Sequence, residues 1–224
     1  MKFQSQEIRT ILFVMLLLMS GTISLMAQQK AMFTQYMFNG LVINPAYSSI
    51  DEAINVTALA RQQWVGFKGA PNTQTISVHG PVKQSETSVG FIFMRDQIGE
   101  VISENGFVGT VAQKVAVGDN TYLSLGLNAG LGKYVGQYSL SGSSSVAQDP
   151  IFADQNSLRA NLGFGLMLFS QKFYAGFSSP FFYYRDLGIG AHAATAYKPH
   201  YMLQGGYLTD LGEDIKFKPN VLIK

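Results

Sequence analysis

The sequence predicts an all-β chain: an antiparallel up-and-down outer-membrane β-barrel, truncated at its C-terminus, with about nine strands present. Three observations lead there. Apolar residues recur at every second position over membrane-spanning lengths, long and short connections alternate, and the N-terminus has the make-up of an export signal.

The alternation is clearest where Leu123, Leu125, Leu127, Ala129 and Leu131 interleave with Ser124, Gly126, Asn128, Gly130 and Gly132. It returns at Leu158, Ala160, Leu162, Phe164, Leu166 and Leu168, between Arg159, Asn161, Gly163, Gly165, Met167 and Phe169. A period of two puts one set on each face of a strand, and about ten such residues cross a bilayer at a tilt. On this reading the greasy face touches lipid.

At the N-terminus, Lys2 and Arg9 precede an apolar run at 11–19, and smaller residues lead to Ala27. Residues 1–27 read as a secretory signal peptide cut after Ala27, although Leu25 is larger than the residue usual three places before a cut. The alternative, an uncleaved anchor, is disfavoured because the run falls short of the ~20 residues a spanning helix needs. Residues 28–51 would then form an N-terminal periplasmic segment and 52–224 the partial barrel. Removing Lys2, Arg9 and Glu7 from 16 basic and 14 acidic residues leaves 14 and 13. A nearly neutral chain is a poor nucleic-acid binder. Only 13% of residues are charged, against ~25% in soluble domains, so little material is left to solvate a large surface. With no cysteine, disulfides and thiolate metal sites are excluded.

Strand candidates lie near 52–61, 72–80, 86–95, 105–117, 121–134, 157–169, 172–178, 200–209 and 215–223. The connections between them alternate: 62–71 is long, 81–85 shorter, 96–104 long, 118–120 tight, 135–156 long, 170–171 tight, 179–199 long and 211–214 short. Outer-membrane barrels place short turns in the periplasm and longer loops outside. The last strand is still in progress at Lys224, with no return strand and no terminal aromatic. Glycines inside the strand candidates would relieve crowding in a curved sheet and let an inserted segment come close. Aromatics at 134 and 138, 173 and 174, and 181–184 suit interfacial girdles, though the last group serves equally as a loop core.

Candidate contact residues fall in three places. Arg61 and Trp64 end the first strand, where a guanidinium and an indole can grip a partner or simply form a rim and an aromatic belt. Arg159 and Asn161 face the interior in this register, as lumen contacts or as partners of internal acids. Gln35, Tyr36, Asn39, Asn44 and Pro45 precede the first strand, and Asn44-Pro45 favours a turn. That segment would either plug the periplasmic mouth or bind a periplasmic partner.

Chemistry finds no footing, and neither catalysis nor a cofactor is expected. His79, His192 and His200 lack zinc-ligand spacing, and Tyr134 stands where a phosphate loop needs Ser or Thr. The 176–180 stretch lacks the last glycine of a nucleophile elbow, and Asp210, Glu213 and Asp214 lack the alternating oxygens of a calcium loop.

Residues 33–47 read Phe33-Thr-Gln-Tyr-Met-Phe-Asn-Gly40-Leu-Val-Ile-Asn-Pro-Ala-Tyr47. With Arg61-Gln-Gln-Trp64-Val-Gly66-Phe-Lys-Gly-Ala70-Pro71, Ser77-Val-His79-Gly-Pro81, Lys198-Pro-His-Tyr201 and Ile215-Lys-Phe-Lys-Pro219, the chain resembles the PorP/SprF family of type IX secretion and gliding-motility membrane proteins. Gly40 departs from the family's usual proline, and Ser48-Ser49 from its alanine and glycine. Family members usually carry further strands beyond this chain's length. The resemblance implies an outer-membrane partner of the export machinery that anchors a secreted surface protein, often an adhesin, through its C-terminal sorting domain. It also implies links to gliding components or a periplasmic peptidoglycan-bound protein. A passive pore is the alternative.

Overall fold

The computed structural model describes residues 37–83, 85–141, 153–187, 199–212 and 215–224. The signal-peptide expectation for 1–27, together with Gln35 and Tyr36, falls outside them. Among the described residues no helix is long and apolar enough to cross a membrane. The fold is all-β: a nine-stranded antiparallel half-barrel in which strands neighbour one another in sequence order.

The strands are β1 (Asn55–Gln62), β2 (Asn72–Pro81), β3 (Thr87–Ile98), β4 (Ile102–Gly118), β5 (Thr121–Gly136), β6 (Gln155–Ser170), β7 (Phe173–Asp186), β8 (Met202–Tyr207), β9 (Thr209–Asp210), β10 (Lys216–Phe217) and β11 (Asn220–Ile223). β11 follows β8 in the main sheet, and β9 pairs with β10 in a small ribbon of its own. β1 and β11 form the two edges of the main sheet.

The expected alternation decides the two faces. Leu125, Leu127 and Leu131 are 55%, 62% and 51% exposed, whereas Ser124 is fully buried and Asn128 nearly so. Val111, Leu158, Leu162, Phe107 and Phe91 continue the outward apolar band on neighbouring strands. Such a band is costly in water and favourable in hydrocarbon, so the convex face is the lipid face. The concave face carries Thr75, Ser77, His79, Ser88, Thr110, Asn128, Asn161 and Gln204, all buried.

Several boundaries differ from the sequence reading. The 96–104 connection is a tight turn at 99–101, because the β3–β4 ladder runs on through Asp96↔Glu104 and Gln97↔Ser103 to Ile98↔Ile102. Backbone pairing needs no apolar side chain, and Gly99, at φ +67°, supplies the left-handed residue that closes the hairpin. Long and short connections therefore do not alternate strictly. The longer ones, 63–71, 137–154 and 187–201, still share one end of the sheet.

β7 does not stop at 178. It absorbs a bulge between Leu162 and Phe164 of its partner, and residues 181–184 belong to the strand rather than to a loop core. A Cβ on Gly163 would lie 2.5 Å from the Pro180 carbonyl carbon, so that glycine makes room for the bulge. The last two strands are each split. Leu208 N–H turns aside to donate to Lys172 O, and Pro219 has no N–H to give.

Candidate functional site

The concave face is not empty. Residues 39–50 form two 3-10 turns, Gly40–Val42 and Pro45–Ser49, that lie against it as a plug. Asn44 makes the second turn. Its Oδ1 accepts from Ala46 N–H at 2.9 Å, satisfying a donor that the turn leaves free, and Pro45 follows at the position where a missing N–H costs nothing. Asn44 Nδ2 donates to Leu166 O of β6 at 3.0 Å. One carboxamide thus folds the plug locally and ties it to the sheet.

Small hydroxyls complete the seat. Ser178 donates to Ile43 O at 2.8 Å, Ser124 to Ala46 O at 3.1 Å, and Ser77 to Asn39 Oδ1 at 3.1 Å. Ser49 Oγ lies 2.6 Å from Ser124 Oγ. Around them Leu41, Val42, Ile43 and Ile92 make one apolar cluster, and Ala46, Met167 and Phe169 another. At the end of the plug, Tyr47 stands edge-on to His79, whose Nε2 is 2.9 Å from Asp51 Oδ2. Burial raises the Tyr47 hydroxyl above its ordinary pKa, and the Asp51 charge pushes it the same way.

Glycines shape the floor beneath. A Cβ on Gly126 would sit 2.5 Å from the Pro45 carbonyl carbon and 2.6 Å from Ala46 Cα. On Gly176 it would come within 2.9 Å of Asn44 Nδ2, and on Gly90 within 3.1 Å of a Leu41 methyl. The expectation that strand glycines admit an inserted segment is met, and the segment belongs to this chain.

Within the segment before the first strand, residues 39–50 lie against the concave face. Asn39, Asn44 and Pro45 are all buried there. Asn161 is also buried on the concave face. The Arg159 guanidinium lies 3.7 Å over the Tyr134 ring, near the end where the longer connections gather. Tyr134 OH in turn meets Tyr138 OH at 2.8 Å.

Arg61 and Trp64 are not brought together as one grip. Arg61 alternates onto the less exposed side of β1, with Thr57 and Leu59, while Trp64 is 71% exposed in the 63–71 connection. Trp64 has φ +48°, a strained conformation for so large a residue. Val65 and Phe67 beside it are each 78% exposed, and Lys68 reaches Glu100 of the neighbouring turn at 3.4 Å. The sequence reading missed Ser77, Ser124 and Ser178. Their signal was only their place on the polar side of an alternation, with nothing local to name the partner.

A lipid-facing apolar sheet wrapped around a polar, plugged concavity defines a β-barrel type of outer-membrane protein. The family model for the type IX secretion system membrane protein PorP/SprF matches residues 25–224. The chain belongs to that family, and is therefore a membrane component of the type IX secretion system. No curated protein and no solved structure matches it.

Proposed function

We propose that the protein anchors or presents a secreted surface protein, such as an adhesin, by engaging that protein's C-terminal sorting domain at the end of the sheet where the longer connections gather. The plug carries this reading. A passive pore needs an open, wet lumen, whereas here the concave face is filled by residues 39–50 and lined with side chains that hold them. A sheet whose concave face is occupied and whose longer connections gather at one end is suited to docking rather than conduction.

On this reading residues 1–27 are a cleaved signal peptide, and the plug end faces the periplasm, where type IX or gliding components, including a peptidoglycan-linked protein, are engaged. The opposite end is extracellular. Arg61, Trp64 and Arg159 lie toward that end and are the contact candidates; Trp64, exposed and adjoining Val65 and Phe67, has the character of an interface anchor.

Affinity purification from native outer membranes tests the proposal. Recovery of a secreted protein bearing a C-terminal sorting domain, lost on Trp64→Ala with the barrel still folded, is the expected result. Raised bilayer conductance with no such protein recovered would favour the pore instead.

A further inference from the structure

We propose that the plug is a releasable stopper: residues 39–50 leave the concave face as a unit while the nine-stranded sheet stays intact. The inference goes beyond the anchoring role and does not depend on what the far end binds.

The quality of the plug's seat carries it. Among the described residues, four buried polar atoms in or beside the plug have no hydrogen-bond partner: Asn39 Nδ2, His79 Nδ1, Thr110 Oγ1 and Gln204 Nε2. Native structures leave few such groups, and each one costs free energy comparable to a lost hydrogen bond. They collect here because the sheet offers a polar face while one stretch of the plug is apolar. A Cβ on Gly90 would touch both Thr110 Oγ1, at 2.5 Å, and a Leu41 methyl, at 3.1 Å, so this hydroxyl and this leucine crowd one spot.

Unseating the plug lets water reach these four groups. Leu41, Val42 and Ile43 lose their cover at the same time, and five hydrogen bonds to the sheet are broken, both of which oppose release. The unpartnered groups offset part of what the apolar contacts and hydrogen bonds contribute, and releasing the plug breaks only its own seat, whereas unfolding the sheet breaks the strand ladders as well. The strand ladders from β2 to β7 are paired over most of their length, broken only at the β4–β5 and β6–β7 irregularities. The plug therefore opens at lower free energy than the sheet it lies on.

The chain has no cysteine, and the Ser49 and Ser124 hydroxyls are 2.6 Å apart. The double variant Ser49→Cys/Ser124→Cys would therefore form a removable lock. Hydrogen exchange of the full chain in lipid nanodiscs is the readout, comparing amides of 39–50 with those of β5. In the unmodified protein the plug amides should exchange at least tenfold faster than β5, and the oxidised lock should slow them at least tenfold while β5 is unchanged. Asn44→Ala, which removes the tie to Leu166 O and the turn's cap, should speed plug exchange about tenfold, again without changing β5. The proposal is overturned if plug and β5 exchange together in the unmodified protein, or if Asn44→Ala accelerates both equally. Either outcome means that the plug comes out only when the whole sheet unfolds.

Discussion

Gly126→Ala places one methyl group where the plug backbone already lies. The new Cβ would fall 2.5 Å from the Pro45 carbonyl carbon and 2.6 Å from Ala46 Cα, and neither atom can rotate away as a side chain would. Overpacking of this kind costs about 1–3 kcal/mol. Lifting the plug also stretches the bond from Ser124 to Ala46 O and the contact from Ser49 to Ser124, worth about 1 kcal/mol each. A total loss of about 3–5 kcal/mol follows, limited by the point at which the plug leaves altogether.

Gly109→Ala is the matched control. It sits on β4, one strand away, on the lipid face, and its Cβ would meet nothing closer than Ala129 O at 4.0 Å. It should change stability by no more than about 0.5 kcal/mol. Urea unfolding in detergent micelles, followed by far-ultraviolet circular dichroism, separates the two. Coincident midpoints would refute the claim that the plug backbone occupies the space over Gly126.

Leu127→Arg puts a charge on a residue 62% exposed on the convex face. It should cost about 2–4 kcal/mol if Leu127 lies near mid-membrane, read as reduced folding yield into lipid vesicles; an unchanged yield would contradict the lipid-facing assignment. Ser178→Ala leaves Ile43 O without its hydroxyl donor and should destabilise by about 1–3 kcal/mol in the same urea titration. Asp154 is held below its ordinary value of 3.8, first by the Ser139 N–H and then by the Ser139 hydroxyl. A depressed carboxylate stabilises the folded form above the ordinary value and loses that contribution as pH falls through the lowered one. The Ser139 amide should therefore stay protected at pH 5 and lose protection only below about pH 3.8, measured by hydrogen exchange; loss of protection at higher pH would contradict the clasp.

The sheet was legible because lipid and plug impose opposite demands on neighbouring residues, and a period of two records that conflict directly. The leucines at 125, 127 and 131 and the small residues between them fix the register of β5 without help from any distant segment. Strand ends were less legible. Asp96, Gln97, Ser103 and Glu104 pair through backbone groups that the side-chain pattern does not reveal. The split at Leu208 depends on a carbonyl contributed by Lys172 from another hairpin. For the plug, the sequence supplied the Asn44-Pro45 turn and glycines that could admit a segment, but not the match between them. Hydroxyls such as Ser124 and Ser178 look alike in sequence whether they face water or a carbonyl.

The partners of the plug lie far along the chain. Asn44 meets Leu166 across 122 residues and Ile43 meets Ser178 across 135. The segment synthesised before every strand is thus among the last to find its place, and it has no complete seat until β7 has joined the sheet. Until then its apolar stretch at 41–43 has no complete cover. Docking of these residues consequently marks the moment at which the hairpins from β2 to β7 are in register.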